Sequence, residues 1–147
     1  MKKHLTILAL FLIGFAVTSC SKKSNDPAPS NNIVSTPDGF TWSEDGGTLI
    51  TADSAFWTSG SWGAGVRAYK GGYASFFELN LDNANSGNHT LSTSSTFLKG
   101  SDTYAVASGS LTISANANDK LSGNFEAKVS GGTIKTVKGS FSNLKKK

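Results

Sequence analysis

The sequence predicts an all-β domain, an antiparallel meander of about eight short strands that forms a sandwich or a small barrel. Glycine, serine, threonine and asparagine are abundant, whereas the chain of 147 residues holds three prolines and one methionine. Apolar and polar residues alternate with a period of two in several segments, and no helical period is present beyond residue 19. Turn residues interrupt the apolar segments at short intervals. These observations do not distinguish between a β-sandwich and a β-barrel.

The first 19 residues have the plan of a secretory signal peptide. Residues 1–4 are basic, residues 5–17 are almost wholly apolar, and the small residues Thr18 and Ser19 follow. The apolar run is too short to span a bilayer, which takes about 20 apolar residues. We therefore expect residues 1–19 to form a signal helix that is cleaved from the mature protein.

Cys20 is the only cysteine of the chain, and it stands directly behind this run. The sequence Val17-Thr18-Ser19-Cys20 resembles the lipobox of bacterial lipoproteins. This resemblance implies transfer of a diacylglyceryl group to the sulfur of Cys20 and cleavage between Ser19 and Cys20. A thiol suits this chemistry because its thiolate is a good nucleophile. Two or three acyl chains would make the anchor effectively permanent. The alternative is an unmodified cysteine near an ordinary cleavage site.

Residues 20–38 are predicted to be the lipidated cysteine and a disordered, flexible tether, because they contain too little apolar surface to fold. In lipoproteins of the Bacteroidetes type, surface export is associated with acidic residues close behind the cysteine. Here Lys22 and Lys23 occupy that place, and Asp26 stands alone. This pattern favours an outer-membrane protein that faces the periplasm, with surface exposure as the alternative.

The net charge argues against a nucleic-acid partner. Removal of residues 1–19 takes away Lys2 and Lys3 and lowers the net charge from +4 to +2. Five of the remaining basic residues lie in the tether and in residues 145–147, so the body between them is slightly acidic and shows no basic stripe. Residues 145–147 form a basic tail, which we expect to be solvated. Contact of this tail with anionic lipid headgroups is the alternative.

The β domain is predicted over residues 39–144 and begins with a hairpin. Residues 40–43 and 48–51 flank Glu44-Asp45-Gly46-Gly47, where glycine supplies the positive φ that a tight turn requires. Further strands, separated by turns, are predicted over residues 54–58, 64–70, 73–81, 89–92, 96–98 and 103–106. In the segment 73–81, Phe77, Leu79 and Leu81 share the face that we expect to be buried.

The last third of the chain has the clearest alternation. One face of a predicted strand is apolar and carries Leu121, Gly123, Phe125, Ala127 and Val129. We expect the final strand to fold back so that Gly139 lies opposite Phe125 and Phe141 lies opposite Gly123, each ring covering a glycine. This register requires a bulge or a three-residue loop between residues 130 and 136. The preceding hairpin, which turns at residues 116–119, is expected to pair its strands in a similar way.

Several of these segments together resemble a family of small Bacteroidetes lipoproteins. They are Phe40-Thr41-Trp42, Thr51-Ala52-Asp53-Ser54-Ala55, Phe77-Glu78-Leu79-Asn80-Leu81, Leu121-Ser122-Gly123-Asn124-Phe125 and Gly139-Ser140-Phe141. That family has no assigned activity. The resemblance therefore implies an all-β fold and an envelope location, and it implies no catalytic or binding residue.

The sequence offers no recognisable catalytic or metal-binding constellation. Acids that could serve in hydrolysis are not paired by any motif; they are Asp53, Glu78, Asp102 and Glu126. His89 is the only histidine behind the signal peptide, so no histidine cluster for zinc exists. The loop 82–87 is oxygen-rich but lacks the closing acid of a calcium loop. We predict no enzyme activity, no metal and no cofactor.

Aromatic residues are concentrated in the first half of the β domain, and they are the candidates for ligand binding. Such rings either fill the core or stack on a ligand such as a sugar. Trp62, which lies between Ser61 and Gly63 in a predicted turn, is expected to be the most exposed, and Trp57 and Tyr69 are further candidates. Asp53-Ser54-Ala55 resembles the acceptor motif of Bacteroidetes O-glycosylation, which makes Ser54 a candidate for that modification.

The sequence thus predicts a lipid-anchored domain of the cell envelope that acts as a non-enzymatic binding or structural accessory module. Its expected partners are the membrane, through the lipid on Cys20, and a glycan or another envelope protein. The alternative is a carrier that holds a small hydrophobic ligand or a glycan in a barrel mouth or on exposed aromatic residues. A hydrolase is the third hypothesis.

Overall fold

The computed structural model describes residues 38–147. The predicted signal peptide, Ser19, Cys20 and the tether up to residue 37 lie outside the described residues. Within residues 38–147 the chain forms strands and turns without a helix, so this part contains no helical segment that could span a membrane.

Ten antiparallel strands form one sheet in the described part of the chain. They are β1 (Gly39–Glu44), β2 (Ile50–Thr51), β3 (Ser54–Gly60), β4 (Gly63–Lys70), β5 (Ser75–Leu81), β6 (Gly87–Thr90), β7 (Thr96–Lys99), β8 (Asp102–Ala117), β9 (Lys120–Ser130) and β10 (Thr136–Lys145). The spatial order is β2-β1-β10-β9-β8-β7-β5-β4-β3, and β6 pairs with the free part of β8. The sheet curls into a half-barrel, which confirms the all-β, antiparallel prediction.

The segment that follows β10 meets the edge strand β3 at Lys146 and Trp57. A parallel bridge joins these residues, and the backbone N–H of Lys147 donates to the carbonyl of Trp57 at 2.9 Å. The backbone of the basic tail is held in place, because β10 continues through Lys145, Lys146 bridges to Trp57 and Lys147 donates to the Trp57 carbonyl. The three lysine side chains are exposed, as expected for a solvated tail. Backbone hydrogen bonds to an otherwise unpaired edge strand hold this segment in place.

The strands are more numerous and, in the last third, longer than predicted. β8 has 16 residues, although the sequence predicts a strand at 103–106 and, apart from it, a hairpin through residues 116–119. Register shifts between Val106 and Ser108 and between Ile113 and Ala115 explain the difference. A bulge adds one residue to a strand and reverses the phase of the alternation, so one bulged strand reads as two short ones.

Alternation directs the large apolar side chains to the inner face of the sheet. Phe77, Leu79 and Leu81 are buried as predicted, and the apolar face of β9 is buried along its whole length. Aromatic rings fill the centre: the ring centroid of Phe77 lies 4.3 Å from that of Phe97, 5.3 Å from that of Phe40 and 5.7 Å from that of Phe125. These rings stabilise the half-barrel mainly by removing apolar area from water.

The predicted pairing of glycines with phenylalanines is confirmed. Gly139 lies opposite Phe125 and Phe141 lies opposite Gly123 in the β9–β10 ladder. A Cβ atom on Gly123 would approach Cζ of Phe141 to 2.7 Å, so the ring occupies the space that the missing side chain leaves. A five-residue loop over residues 131–135, with Gly131 at φ +111°, replaces the three-residue loop that the sequence suggested.

The first half of the domain differs from the prediction in where its turns lie. β3 continues to Gly60, so the β3–β4 turn consists of Ser61 and Trp62. Tyr73 belongs to the turn between β4 and β5, rather than to β5, and its side chain is 73% exposed. The second shift moves Tyr73 out of the predicted strand 73–81 and onto the surface, whereas Trp62 lies in a turn as predicted.

Candidate functional site

The most prominent concave surface lies on the outer face of the β3–β4–β5 part of the sheet. Inner-face residues such as Val66 and Leu79 fill the core, so the alternate residues Gly65, Arg67 and Asn80 point outward. They contribute to a cleft of about 570 Å³, which we call the Trp62 cleft; its lining residues are Trp62, Arg67, Glu78, Asn80, Leu81, Asp82, Thr90, Ser92 and Ser94.

Trp62 lies along the sheet rather than pointing away from it. A Cβ atom on Gly60 would come within 2.9 Å of its Nε1, and a Cβ atom on Gly65 would come within 3.2 Å of its Cη2. These atoms belong to opposite ends of the indole, so both ends of the ring rest on the two glycines. The side chain is 56% exposed, which leaves its outer face open to solvent. The result is a flat, apolar platform at one end of the cleft.

An ion pair forms the middle of the Trp62 cleft. Arg67 and Glu78 are directly opposite each other on β4 and β5, and Nη2 of Arg67 donates to Oε1 of Glu78 at 2.8 Å. About a third of the arginine side chain and a quarter of the glutamate side chain are exposed. An ion pair this accessible adds only about 0–1 kcal/mol to stability. Its remaining donors and acceptors are open to a ligand.

Hydroxyl and amide groups also line the Trp62 cleft, with Asn80 directly opposite Gly65. Nδ2 of Asn80 donates to the carbonyl of Ser94 at 3.2 Å, and the hydroxyls of Ser92 and Ser94 are 3.0 Å apart. The buried hydroxyl of Ser95 accepts from the backbone N–H of Asn80 at 2.8 Å and holds this turn against β5. The polar groups are thus fixed in position before a ligand arrives.

His89 connects the loop behind β5 to β6 at the edge of the cleft. Its Nδ1 lies 3.2 Å from Oδ1 of Asp82, and its Nε2 lies 2.7 Å from the carbonyl oxygen of Asn85. The hydrogen bond with His89 is the main reason why the pKa of Asp82 is below its usual value. Since both ring nitrogens already have partners, His89 is not positioned to activate a serine.

The three aromatic residues proposed for ligand binding are not brought together. Trp57 is 4% exposed, and its Nε1 donates to the carbonyl of Asp119 at 3.2 Å. It therefore belongs to the core, because it falls on the inner face of β3. Tyr69 is half-buried on the outer face, at the opposite end of β4 from Trp62. Trp62 alone lines the cleft.

Ser54, the candidate for O-glycosylation, is exposed at the first position of β3. The neighbouring carboxylate of Asp53 accepts from Nζ of Lys70 at 2.8 Å and from the backbone N–H of Gly71 at 2.7 Å. These bonds, the lysine first, hold the pKa of Asp53 below its usual value. The serine hydroxyl is accessible to a modifying enzyme.

Three of the acids considered for hydrolysis are engaged with cations rather than with one another. Asp53 pairs with Lys70, Glu78 with Arg67 and Glu126 with Lys138. Among residues 38–147 no group of three or more histidine, cysteine, aspartate or glutamate side chains is arranged to hold a metal ion. These three acids are therefore ion-pair partners rather than a carboxylate pair.

Sequence reasoning identified Trp62 but missed the polar residues of its cleft. Arg67, Asn80 and Ser92 come from three separate segments, and only the strand register places them beside the indole. The single local signal is the spacing Gly60, Trp62, Gly65, in which glycines two before and three after a tryptophan leave room for its ring.

Comparison with known protein families, with curated proteins and with solved structures gives no match to this chain.

Proposed function

We propose that this chain is a lipid-anchored, non-enzymatic binding module of the cell envelope, which holds a glycan in the Trp62 cleft. The anchor rests on the sequence Val17-Thr18-Ser19-Cys20, and the resemblance to small Bacteroidetes lipoproteins supports it. The two Lys residues behind Cys20 favour an outer-membrane location that faces the periplasm. The single observation that carries the binding role is the exposed, flat indole of Trp62 beside fixed polar groups.

A sugar ring matches this cleft because it combines an apolar face with a rim of hydroxyls. The apolar face can stack on the indole of Trp62. The hydroxyls can exchange hydrogen bonds with the guanidinium of Arg67 and the amide of Asn80. Pockets that combine an aromatic surface with a few placed polar groups are typical of small-ligand sites.

A carrier with its ligand inside a barrel and a purely structural accessory module, two roles that the sequence left open, receive less support. A carrier that holds its ligand inside a barrel needs a free interior, whereas the inner face of this half-barrel is packed with aromatic rings. A purely structural accessory module does not explain why an indole stays 56% exposed above two glycines. An exposed large aromatic side chain in a cleft is more typical of a binding site.

The binding role is tested by titrating soluble oligosaccharides, neutral and acidic, into residues 20–147 while tryptophan emission is recorded. We expect emission to change and to saturate with at least one oligosaccharide. Measured by isothermal titration calorimetry, which does not depend on the removed fluorophore, Trp62→Ala should weaken that binding at least about tenfold, which corresponds to about 1.4 kcal/mol. The matched control is Tyr73→Ala, which removes another exposed aromatic side chain from a turn and should leave the affinity unchanged. Absence of saturable binding across the panel would contradict the glycan role.

The anchor is tested separately in cells by metabolic labelling with radioactive palmitate. The wild-type protein should be labelled, and Cys20→Ala should abolish the label because it removes the only thiol. Labelling that persists in the Cys20→Ala variant would refute the lipoprotein assignment without affecting the glycan titration.

A further inference from the structure

A second surface on the outer face combines aromatic rings with lysines, and we call it the aromatic–lysine patch. It consists of Phe56, Tyr69, Tyr73, Phe76 and Lys147. The ring of Tyr69 is central: its centroid lies 4.9 Å from that of Phe76, 5.2 Å from that of Tyr73 and 6.1 Å from that of Phe56. This cluster lies on the side of the sheet opposite to the core, so folding of the half-barrel does not bury it.

The rings of the patch are arranged differently from Trp62. Tyr69 and Phe76 stand opposite each other on β4 and β5, and their planes are inclined by 35°. Side chains that stand upright on a sheet and pack face to face present their edges to solvent. Tyr73 meets Tyr69 at 89° and is 73% exposed. The patch therefore offers a group of projecting rings rather than a stacking platform for a sugar.

Lysines border the patch at the point where the segment that follows β10 meets β3. Nζ of Lys147 lies 4.2 Å from the ring centroid of Phe56, and Nζ of Lys146 lies 5.2 Å from that of Trp57. Two carboxylates that line clefts together with Lys147 already have partners, since Asp53 binds Lys70 and Asp38 accepts from Nδ2 of Asn143 at 2.6 Å. Among the ion pairs of residues 38–147, none involves Lys145, Lys146 or Lys147. Their positive charge is available to an external anion.

The described chain begins beside this patch. Asp38 and Gly39 line a cleft of about 400 Å³ together with Ser54, Phe56 and Lys147, so the chain enters the domain at the border of the patch. Seventeen residues separate Asp38 from Cys20. Even fully extended, a segment of this length spans at most roughly 60 Å. A lipid on Cys20 would therefore confine the patch to the neighbourhood of the bilayer.

We propose that the aromatic–lysine patch docks on an anionic phospholipid surface. Tyrosine and phenylalanine rings insert at the level of the headgroups, where amphipathic aromatic side chains are favoured, and the terminal lysines attract the anionic lipids. The proposal rests on the lipid anchor of the proposed function. Docking would orient the domain so that the Trp62 cleft, at the other end of β4, points away from the lipid.

The test uses residues 20–147, which contain the entire core from Phe40 to Leu144. The single cysteine is coupled to a maleimide lipid in vesicles of phosphatidylcholine and phosphatidylglycerol, and the anchor is thereby supplied chemically. Tyr73→Trp places a fluorophore in the patch, and brominated lipids report its contact with the bilayer. We expect brominated lipids to quench the added emission, because an aromatic ring at position 73 would lie at the membrane–water interface.

The wild-type protein is the matched control, because its one exposed tryptophan is Trp62. Brominated lipids should leave its emission nearly unchanged. Replacing phosphatidylglycerol with phosphatidylcholine, or adding Lys145→Glu and Lys147→Glu to the Tyr73→Trp variant, should abolish the quenching. Unquenched emission at position 73 would overturn the proposal. Equal quenching of the wild type would also overturn it, because the Trp62 end would then face the lipid. Neither result depends on whether cells lipidate Cys20.

Discussion

Two glycine–phenylalanine pairs fix the register of the last hairpin. Phe125 and Phe141 lie on adjacent strands and point inward, and each covers the glycine that faces it, Gly139 or Gly123. Glycine within a strand is normally destabilising, because it loses more backbone entropy on folding and has no side chain to pack. Here the absence of a Cβ atom leaves space for a large ring. Glycine is therefore required at these two positions for the packing of Phe125 and Phe141.

Gly139→Ala is therefore expected to destabilise the protein by about 1–3 kcal/mol, since the new methyl group would overlap the ring of Phe125 and the carbonyl of Thr41. Urea denaturation followed by circular dichroism measures this change. The control is Gly47→Ala, whose methyl group would meet only the carbonyl of Glu44, at 3.1 Å, in an exposed turn. Equal effects of the two substitutions would show that the ring–glycine contact has no special role.

Asp45 joins two loops through its carboxylate. Its Oδ1 accepts from the backbone N–H of Thr136 at 2.7 Å and from that of Lys135 at 3.0 Å. The bond from Thr136, followed by that from Lys135, holds the pKa of Asp45 below its usual value of 3.8. Because the folded state favours the ionised form, the stabilisation is present above the unfolded pKa and is lost as the pH falls through the folded pKa.

Asp45→Asn should lower the free energy of unfolding at about pH 7 and should reduce the further loss of stability as the pH falls below the usual aspartate pKa of 3.8. Asparagine tolerates the backbone φ of 46° at this position, so the substitution changes mainly the charge. Urea midpoints measured across this range give the result. The comparison is Asp102→Asn, which removes an exposed carboxylate. The account of Asp45 is wrong if both variants keep the acid dependence of the wild type.

At the scale of elements, the β8–β9 hairpin shows what the sequence determines locally. Alternation along β9 and the turn residues near Asn118 were sufficient to predict the hairpin and its buried face. Asn118 and Asp119 both have positive φ, at 53° and 57°, as a two-residue type I′ turn requires. The bulges of β8 were not predictable, because a change of phase looks like the end of a strand.

Asp119→Gly should stabilise the protein by a few tenths to about 1 kcal/mol, since Asn-Gly is the preferred pair in such a turn and the left-handed conformation costs a side chain roughly 1–2 kcal/mol. The backbone carbonyl that accepts from Trp57 and Lys146 remains. Thermal unfolding measures the change. Asn85→Gly, in a loop where φ is not positive, should give no gain. A loss of stability in Asp119→Gly would show that the aspartate side chain contributes more than the turn geometry.

The Trp62 cleft shows where sequence reasoning ends. The exposed tryptophan follows from its place in a turn between small residues, but its polar neighbours come from β4, β5 and the segment before β7. Their proximity depends on long-range registers such as Arg67 opposite Glu78. The burial of Trp57 was not predictable either, because it depends on which side of β3 faces the core.

At the scale of the whole molecule, one curled sheet separates a packed interior from an outer face with two different surfaces. The Trp62 cleft lies toward the β3–β4 turn, and the aromatic–lysine patch lies toward the β4–β5 turn and the sheet edges. In the proposed arrangement, a bilayer occupies one end of this face and a glycan occupies the other. A membrane-bound domain of this kind would present its binding site to the adjacent aqueous compartment.

Treatment of intact cells with proteinase K tests the location of that compartment. We expect the protein to be protected, as a periplasm-facing domain would be, and to be degraded once the outer membrane is permeabilised. A periplasmic protein and a surface protein serve as controls on the same blot. Degradation in intact cells would place the domain on the surface and would contradict the interpretation of Lys22 and Lys23.

Titration followed by two-dimensional NMR tests the central claim, glycan binding at Trp62, most directly. The protein has three tryptophans, and the indoles of Trp42 and Trp57 are buried and donate to Glu44 and Asp119. With a bound oligosaccharide from the fluorescence panel, we predict that the indole resonance of Trp62 shifts together with the amide resonances of Arg67 and Asn80, while the other two indoles stay in place. Shifts confined to other surfaces, or an unchanged Trp62 resonance at saturation, would contradict the account.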